Sequence, residues 1–343
     1  MVLSVDGSMG EGGGQVLRSA VALSAVTGRG ARVHNTRAGR VNPGIRPQHL
    51  AAIKAVASLC DGSVEGLEVG SSEIIFSPGK IREGHFNVDV GTAGSLSLVL
   101  QALLLPAFHA PGKVVFNLKG GTDVRWSPPI DYLRYVFSPL LNRFGFNFSL
   151  SLKHRGFYPK GGGEVSVTVH PSNPKRIDLV ERESIKSIQG HSIAHKKLRD
   201  RRVAERQAGS SRKTIFNYLS NRGYKGYIDI RREYVDSPSL GSSLLLYAVT
   251  SNSILGSDSL GELGKRSEDV GCEAASGLIR ELESGAALDR FMADQIIPYL
   301  ALAGGEVSVS EVSGHCRTNV EVINRFGFDL RIEGNKIISR AGV

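Results

Sequence analysis

Long hydrophobic runs are missing from this 343-residue chain. The best candidate, LVLQALLLPAFHA, is cut by Gln101, Pro106 and His109, so it falls short of the about 18 apolar residues a membrane-crossing helix needs. Cysteine is scarce: Cys60, Cys272 and Cys316 lie far apart, with no CxxC pair. That odd, sparse count argues against a disulfide scaffold or zinc framework and suits a reducing cytosol. The opening residues, MVLSVDG, show no basic stretch followed by an apolar one, so no secretory leader is predicted and the expected location is the cytoplasm. HExxH and GxSxG are absent too, which removes the common zinc-protease and esterase readings.

What is present suits a globular protein with a large core, at 41% hydrophobic residues. Basic residues outnumber acidic ones, 42 to 33, for a net charge of +9. Such an excess favours a polyanionic partner, most simply nucleic acid or nucleotide.

Forty-one glycines divide the chain into short units. LNRFGFNFSL (141–150) and INRFGFDLRI (323–332) nearly copy each other. Each reads as a helix stopped at Gly145 or Gly327 and followed by a strand. LAAIKAVASLCDGSVEGLEVG is a looser third version, with Gly62 at the stop. A strand, Gly/Ser turn and helix recur in VDGSMGEGGGQVLRSAVALSAVTG, VDVGTAGSLSLVLQALLLPA and VSVSEVSGHCRTNVEVI. This self-similarity predicts three α/β units of about 70–90 residues. Each turn delivers a helix N-terminus, where free N–H groups and the helix dipole favour phosphate. His315 lies on the third of these turns. The segment 183–268 does not fit the repeat and is expected to be a small α+β insert between 1–182 and 269–343, which together form the larger domain. Its stretch HSIAHKKLRDRRVAERQAGSSRK carries eight Lys/Arg against Asp200 and Glu205, which suits either a solvated helix face or RNA contact.

GEGGGQVLRS is a Gly-rich turn without the Gly-Lys-Ser/Thr ending of a P-loop. Its companions matter more than its glycines. Glu11 can hold a divalent cation, Gln15 can bond an oxygen, and Arg18 follows one helical turn later; together they suit a metal–triphosphate. RAGRVNPGIRPQHL (37–50) adds Arg37, Arg40, Arg46 and Gln48 on a rigid loop, a pattern for bidentate phosphate binding. Asn42 and His49 read as caps for the next helix. GGTDVRWSPPIDY offers Pro128, Pro129 and Trp126 as a wall for a purine or as ordinary packing. GFYPKGGG (156–163) reads as a hairpin turn, and FMADQ places an acid and an amide near a helix start. Cys316 beside His315 makes a poor Cys–His dyad, because adjacent side chains diverge. A histidine aimed at phosphate sites fits phosphoryl or nucleotidyl transfer through a phosphoramidate.

Taken in order, GEGGGQVLRSAVALS, RAGRVNPGIRPQHL, VGTAGSLSLVLQ, GGTD…PP, GFYPKGGG, VAER, ADQ and SGHCRTN resemble the RNA 3′-terminal phosphate cyclase family from about residue 3 to the end. The resemblance implies an α/β (α+β) fold of three tandem βαβαββ-type repeats, each like the C-terminal domain of translation initiation factor 3. It places a small domain before the third repeat. It also implies a three-step use of ATP, with Mg²⁺ or Mn²⁺, to convert an RNA 3′-phosphate into a 2′,3′-cyclic phosphate through a histidine–AMP adduct and an RNA–adenylate. Residue by residue, His315 matches the adenylated histidine and Glu11 the metal carboxylate. Gln15, Arg18, Arg40, Gln48 and Gln101 match the phosphate lining, Asp294 and Gln295 the nucleotide-site pair, and Pro128 or Pro129 the adenine contact. Phe291 stands where well-known bacterial relatives have tyrosine, which keeps stacking and loses a hydroxyl. A non-enzymatic branch of the family lacks the nucleophile, and the presence of His315, Glu11 and Arg18 argues against it. Enolpyruvyl transferases share related repeats, but a histidine nucleophile has no role in them.

Overall fold

A computed structural model describes residues 2–220, 222–224 and 226–340. Four four-stranded mixed sheets carry the architecture. The first unit runs β1 (Val2–Asp6), α1 (Gly14–Thr27), β2 (Gly30–His34), α2 (Pro47–Leu59), β3 (Ser63–Glu65) and β4 (Ile74–Ser77). Strands β1 and β2 are parallel, and β4 lies antiparallel between β2 and β3. The second unit repeats this order with β5 (Gly84–Asp89), α3 (Leu96–Ala107), β6 (Val114–Gly120), a helix in two pieces, β7 (Phe148–His154) and β8 (Gly163–Val169). Its helix runs as α4 (Ile130–Tyr132), a π-turn over Leu133–Phe137 and α5 (Ser138–Arg143).

The third sheet starts with β9 (Ile177–Leu179), and there the chain departs into the insert. The insert comprises β10 (Ile185–His195), α6 (Val203–Ser220), β11 (Tyr227–Val235), β12 (Ser242–Thr250), β13 (Ile254–Leu260) and α7 (Ser267–Glu283). The chain then returns through α8 (Arg290–Ala303), β14 (Gly305–Ser308), α9 (Gly314–Arg325), β15 (Asp329–Glu333) and β16 (Lys336–Arg340). Leu179 pairs in parallel register with Val307, and β16 lies antiparallel between β14 and β15, so the third sheet has the connectivity of the first two.

Four sequence expectations change. The insert lies inside the third unit, after its first strand, rather than before it. The expected end of the insert at 268 falls within α7, whose Val270, Ala274, Leu278 and Leu282 are buried in the insert's own core with Ile188, Ile215 and Leu246. The turn ahead of His315 joins the second strand to the second helix of its unit, whereas the other two turns of that pattern precede first helices. The helix stops fall as expected at Gly145 and Gly327, both at positive φ, but after α2 the left-handed residue is Asp61, not Gly62.

Alternation sets the sheets. In β8 (GEVSVTV) every second residue is buried, the period-two pattern of a half-buried strand. Helices α1, α2, α3, α8 and α9 pack against one another, so residues from all three units share one apolar core. That packing draws several helix N-termini together.

Candidate active site

Missing side chains make this junction. The loop after β1 ends at Gly13, the N-cap of α1, with no capping side chain of its own. A Cβ at Gly13 would lie 3.2 Å from the Arg40 guanidinium and 3.7 Å from His315 Cε1, and one at Gly314 would lie 2.9 Å from Glu11 Oε1. The start of α1 therefore touches both the Arg-rich loop and the start of α9. Ser313 caps α9 by accepting from the Cys316 N–H at 3.0 Å, which places His315 in the first turn, where N–H groups are free.

His315 is about one-third exposed, and its Nε2 lies 3.0 Å from Glu11 Oε2. Arg40 approaches the same carboxylate oxygen at 3.7 Å. Arg18 reaches Gln101 Oε1 at 3.5 Å and, among the described residues, has no acidic partner within 4 Å. Burial pulls its guanidinium down to about 10, so it remains cationic at neutral pH. An unpaired, desolvated cation is costly unless an anion completes it.

The expected lining divides into committed and open groups. Gln48 accepts from the Ser95 N–H at 3.1 Å, which ties α2 to the cap of α3. Ser95 and Ser97 share a hydrogen bond of 2.7 Å, and Ser97 donates to the Pro128 carbonyl at 2.7 Å. Pro128 is half-buried, whereas Pro129 is buried as the N-cap of α4, so Pro128 has the open face. Trp126 does not pack: it is 92% exposed. Asp294 accepts from the Ser313 hydroxyl at 2.7 Å and the Cys316 thiol at 3.0 Å. Burial raises this carboxyl, while those two donors and His315 oppose the rise. Burial and Asp294 push the Cys316 thiol up to about 12, so it is a hydrogen-bond donor and not a nucleophile.

Gln15 and Gln295 have the opposite character. Each has a buried amide oxygen without a partner, although the Gln295 amide N–H donates to the Phe291 carbonyl at 2.8 Å. Orphaned buried polar atoms mark places where a ligand group is expected. Phe291 is half-buried, edge-on to Tyr132 at 6.1 Å, with Arg290 5.5 Å above its ring.

The capping assignment for His49 holds. Its Nδ1 accepts from the Arg46 N–H at 3.2 Å. Burial, with Arg18, Arg37 and Arg46 nearby, drives its pKa down to about 3, so it is neutral. The cap of α2 is Arg46 and not Asn42, whose carbonyl accepts from Arg37 at 2.7 Å. Sequence reasoning missed Asp289. It caps α8 through the Phe291 and Met292 N–H groups and accepts from the Tyr132 hydroxyl at 2.8 Å. The short FMADQ pattern starts too late to include it.

Among the described residues no group of three or more His, Cys, Asp or Glu could cage a metal ion, and no helix is long and apolar enough to cross a membrane. The half-exposed Glu11 carboxylate fits a cation carried mainly by phosphate oxygens and water.

Fold and site together define an α/β protein with a histidine at a helix start, facing a carboxylate that an arginine also approaches. The sequence model of the RNA 3′-terminal phosphate cyclase family matches residues 9–332, and the chain belongs to that family. The protein named RNA 3′-terminal phosphate cyclase from Ignicoccus hospitalis is 48% identical over 340 residues, covering 97% of this chain and 94% of its own. Those of the same name from Archaeoglobus fulgidus and Pyrococcus furiosus are each 45% identical, covering 98% and 95% of this chain and 99% and 93% of their own.

Proposed function

We propose that the chain is an ATP-dependent RNA 3′-terminal phosphate cyclase working through a histidine–AMP adduct. Support comes from membership of the family and, above all, from the His315–Glu11 pair at 3.0 Å, which Arg40 also approaches. We also read the shared connectivity of the three sheets as three copies of the fold of the C-terminal domain of translation initiation factor 3, and the setting as cytoplasmic.

The triphosphate lies along the starts of α1 and α9, with Arg18 and Arg40 on its oxygens and Gln15 turning its amide toward it. Phe291 and Pro128 flank the adenine, and Asp294 and Gln295 address the nucleoside. One imidazole nitrogen of His315 attacks the α-phosphorus. A P–N bond forms, the bond to the bridging oxygen breaks, and pyrophosphate leaves with the electron pair while the imidazole sheds its N–H proton. Charge accumulating on the phosphates meets preorganised arginine and helix N–H groups. A divalent cation, held by Glu11 and the triphosphate, supplies further charge neutralisation when bound.

An oxygen of the RNA 3′-phosphate then displaces the histidine from AMP, giving an RNA–adenylate anhydride. Finally the ribose O2′ attacks the RNA phosphorus, loses its proton, and expels AMP. This step is intramolecular, with high effective molarity, so it asks little of a general base. It also selects RNA, because a deoxyribose end has no O2′.

The test is labelling with α-phosphate-labelled ATP and Mg²⁺ or Mn²⁺. The expected product is a protein-bound label that is acid-labile, alkali-stable and lost in His315→Ala. Undiminished labelling of that variant would refute the role of His315.

A further inference from the structure

The Gly156–Gly163 turn joins β7 to β8, and none of its residues enters the reaction above. It nevertheless stands between Gln48, in the expected phosphate lining, and the insert's basic segment. On one side, a Cβ at Gly161 would lie 2.8 Å from Ala93 Cα, and one at Gly94 would lie 2.9 Å from Gln48 Cβ. On the other, the Lys160 N–H donates to Ser239 Oγ at 3.0 Å, and a Cβ at Gly162 would lie 2.9 Å from Pro238 Cγ. The 236–241 loop in turn holds the start of the basic segment. The His195 N–H donates to the Gly241 carbonyl at 2.9 Å. The His195 ring accepts from the Lys197 N–H at Nδ1, 3.0 Å, and so donates from Nε2 to the Ser237 carbonyl at 3.1 Å.

A continuous surface therefore runs from Gln48 through Ala93 and Tyr158–Lys160 to Lys197–Arg202. Its chemistry is consistent along its length. Tyr158 is 75% exposed and, among the described residues, its ring stacks on nothing. Lys160, Lys197, Arg199, Arg201 and Arg202 are exposed, and none has an acidic partner within 4 Å among the described residues. Lys196, paired with Asp236 at 2.5 Å, is the cation of this strip that is already neutralised.

We propose that this strip binds the RNA strand behind its reacting 3′ end, with Tyr158 stacking on a base and the unneutralised cations meeting backbone phosphates. An exposed aromatic between basic side chains is the usual platform for single strands, because every base offers a π-face and every nucleotide a phosphate. Continuity with Gln48 of the expected phosphate lining, and the strip's unneutralised cations, favour RNA over a protein partner. The proposal rests on reading the substrate as RNA.

Fluorescence anisotropy with a 3′-phosphorylated oligoribonucleotide of about 12 nucleotides tests it. Tyr158→Ala raises Kd about tenfold and Tyr158→Phe does not. Replacing Lys160 and Arg199 with alanine flattens the salt dependence, by about 0.7 in log–log slope for each phosphate no longer neutralised. A 3′-phosphorylated dinucleotide, which carries almost no strand behind its reacting end, binds wild type and variants alike. The same preparations label themselves with AMP as wild type does, which shows the fold and nucleotide site to be intact. If wild type fails to label while the 12-mer pattern holds, the strip stands and the enzymatic reading falls. Wild-type affinity of Tyr158→Ala for the 12-mer, or an equal loss for the dinucleotide, overturns the proposal.

Discussion

Gly314 shows how strongly single atoms constrain the site. Its backbone is ordinary helix, and a Cβ would meet nothing closer than Glu11 Oε1 at 2.9 Å. Gly314→Ala should therefore leave unfolding stability within about 0.5 kcal/mol of wild type. It should slow self-adenylation about tenfold or more by displacing the carboxylate beside His315. Urea denaturation and single-turnover labelling check the two halves; equal losses in both would show a folding defect instead. The meeting of Glu11 with His315 was legible in the sequence because each sits within a few residues of a Gly-rich turn. The spent acceptor of Gln48 and the reach of Arg18 to Gln101 were not, since they depend on contacts with residues 47 and 83 positions away.

Helix α8 carries Phe291, Asp294 and Gln295, and its placement depends on Asp289. Burial and the nearby Glu281 push that carboxyl up to about 7, against the pull of the Gly256 and Met292 N–H groups and the Tyr132 hydroxyl. Its folded pKa lies above the unfolded carboxyl value, so between about pH 4 and 7 the folded state holds a proton the unfolded chain releases. Stability from this group is present at low pH and declines as pH rises through that window. Asp289→Asn keeps a capping oxygen and removes the titration. The variant should gain on wild type by about 2–3 kcal/mol from pH 5 to pH 8, as read from urea midpoints; a constant difference across that range would contradict the assignment. The helix itself was legible from FMADQ. Its equivalence to α1 and α3 was not, because Leu288–Asp289–Arg290 replaces their Gly/Ser turn with an aspartate cap, and the apparent repeat slipped one element along to SGHCRTN.

Across the whole molecule, a buried cluster locks the insert to the repeats. Arg155 is 5% exposed and spans Asp123 at 3.1 Å and Asp131 at 2.5 Å, and Ser243 of the insert donates to Asp123 at 2.8 Å. Arg155→Ala would strand two buried carboxylates, so it should cost about 3–5 kcal/mol of stability, seen as a lower urea midpoint; a loss below about 1 kcal/mol would rule out that role. The repeat was visible because helix stops and alternating strands are local patterns. The site of insertion was hidden, because β9 is only three residues long and finds its partner β14 across the whole insert.

The most direct test of cyclase activity follows the RNA itself. An oligoribonucleotide with a 3′-phosphate is incubated with enzyme, ATP and Mg²⁺ or Mn²⁺, and its end is examined by mass and phosphatase resistance. Loss of one water and a phosphatase-resistant terminus are the expected result. A substrate with a 2′-deoxy end should instead accumulate as its adenylate. An RNA end left unchanged by an enzyme that labels itself with AMP would contradict the proposed reaction.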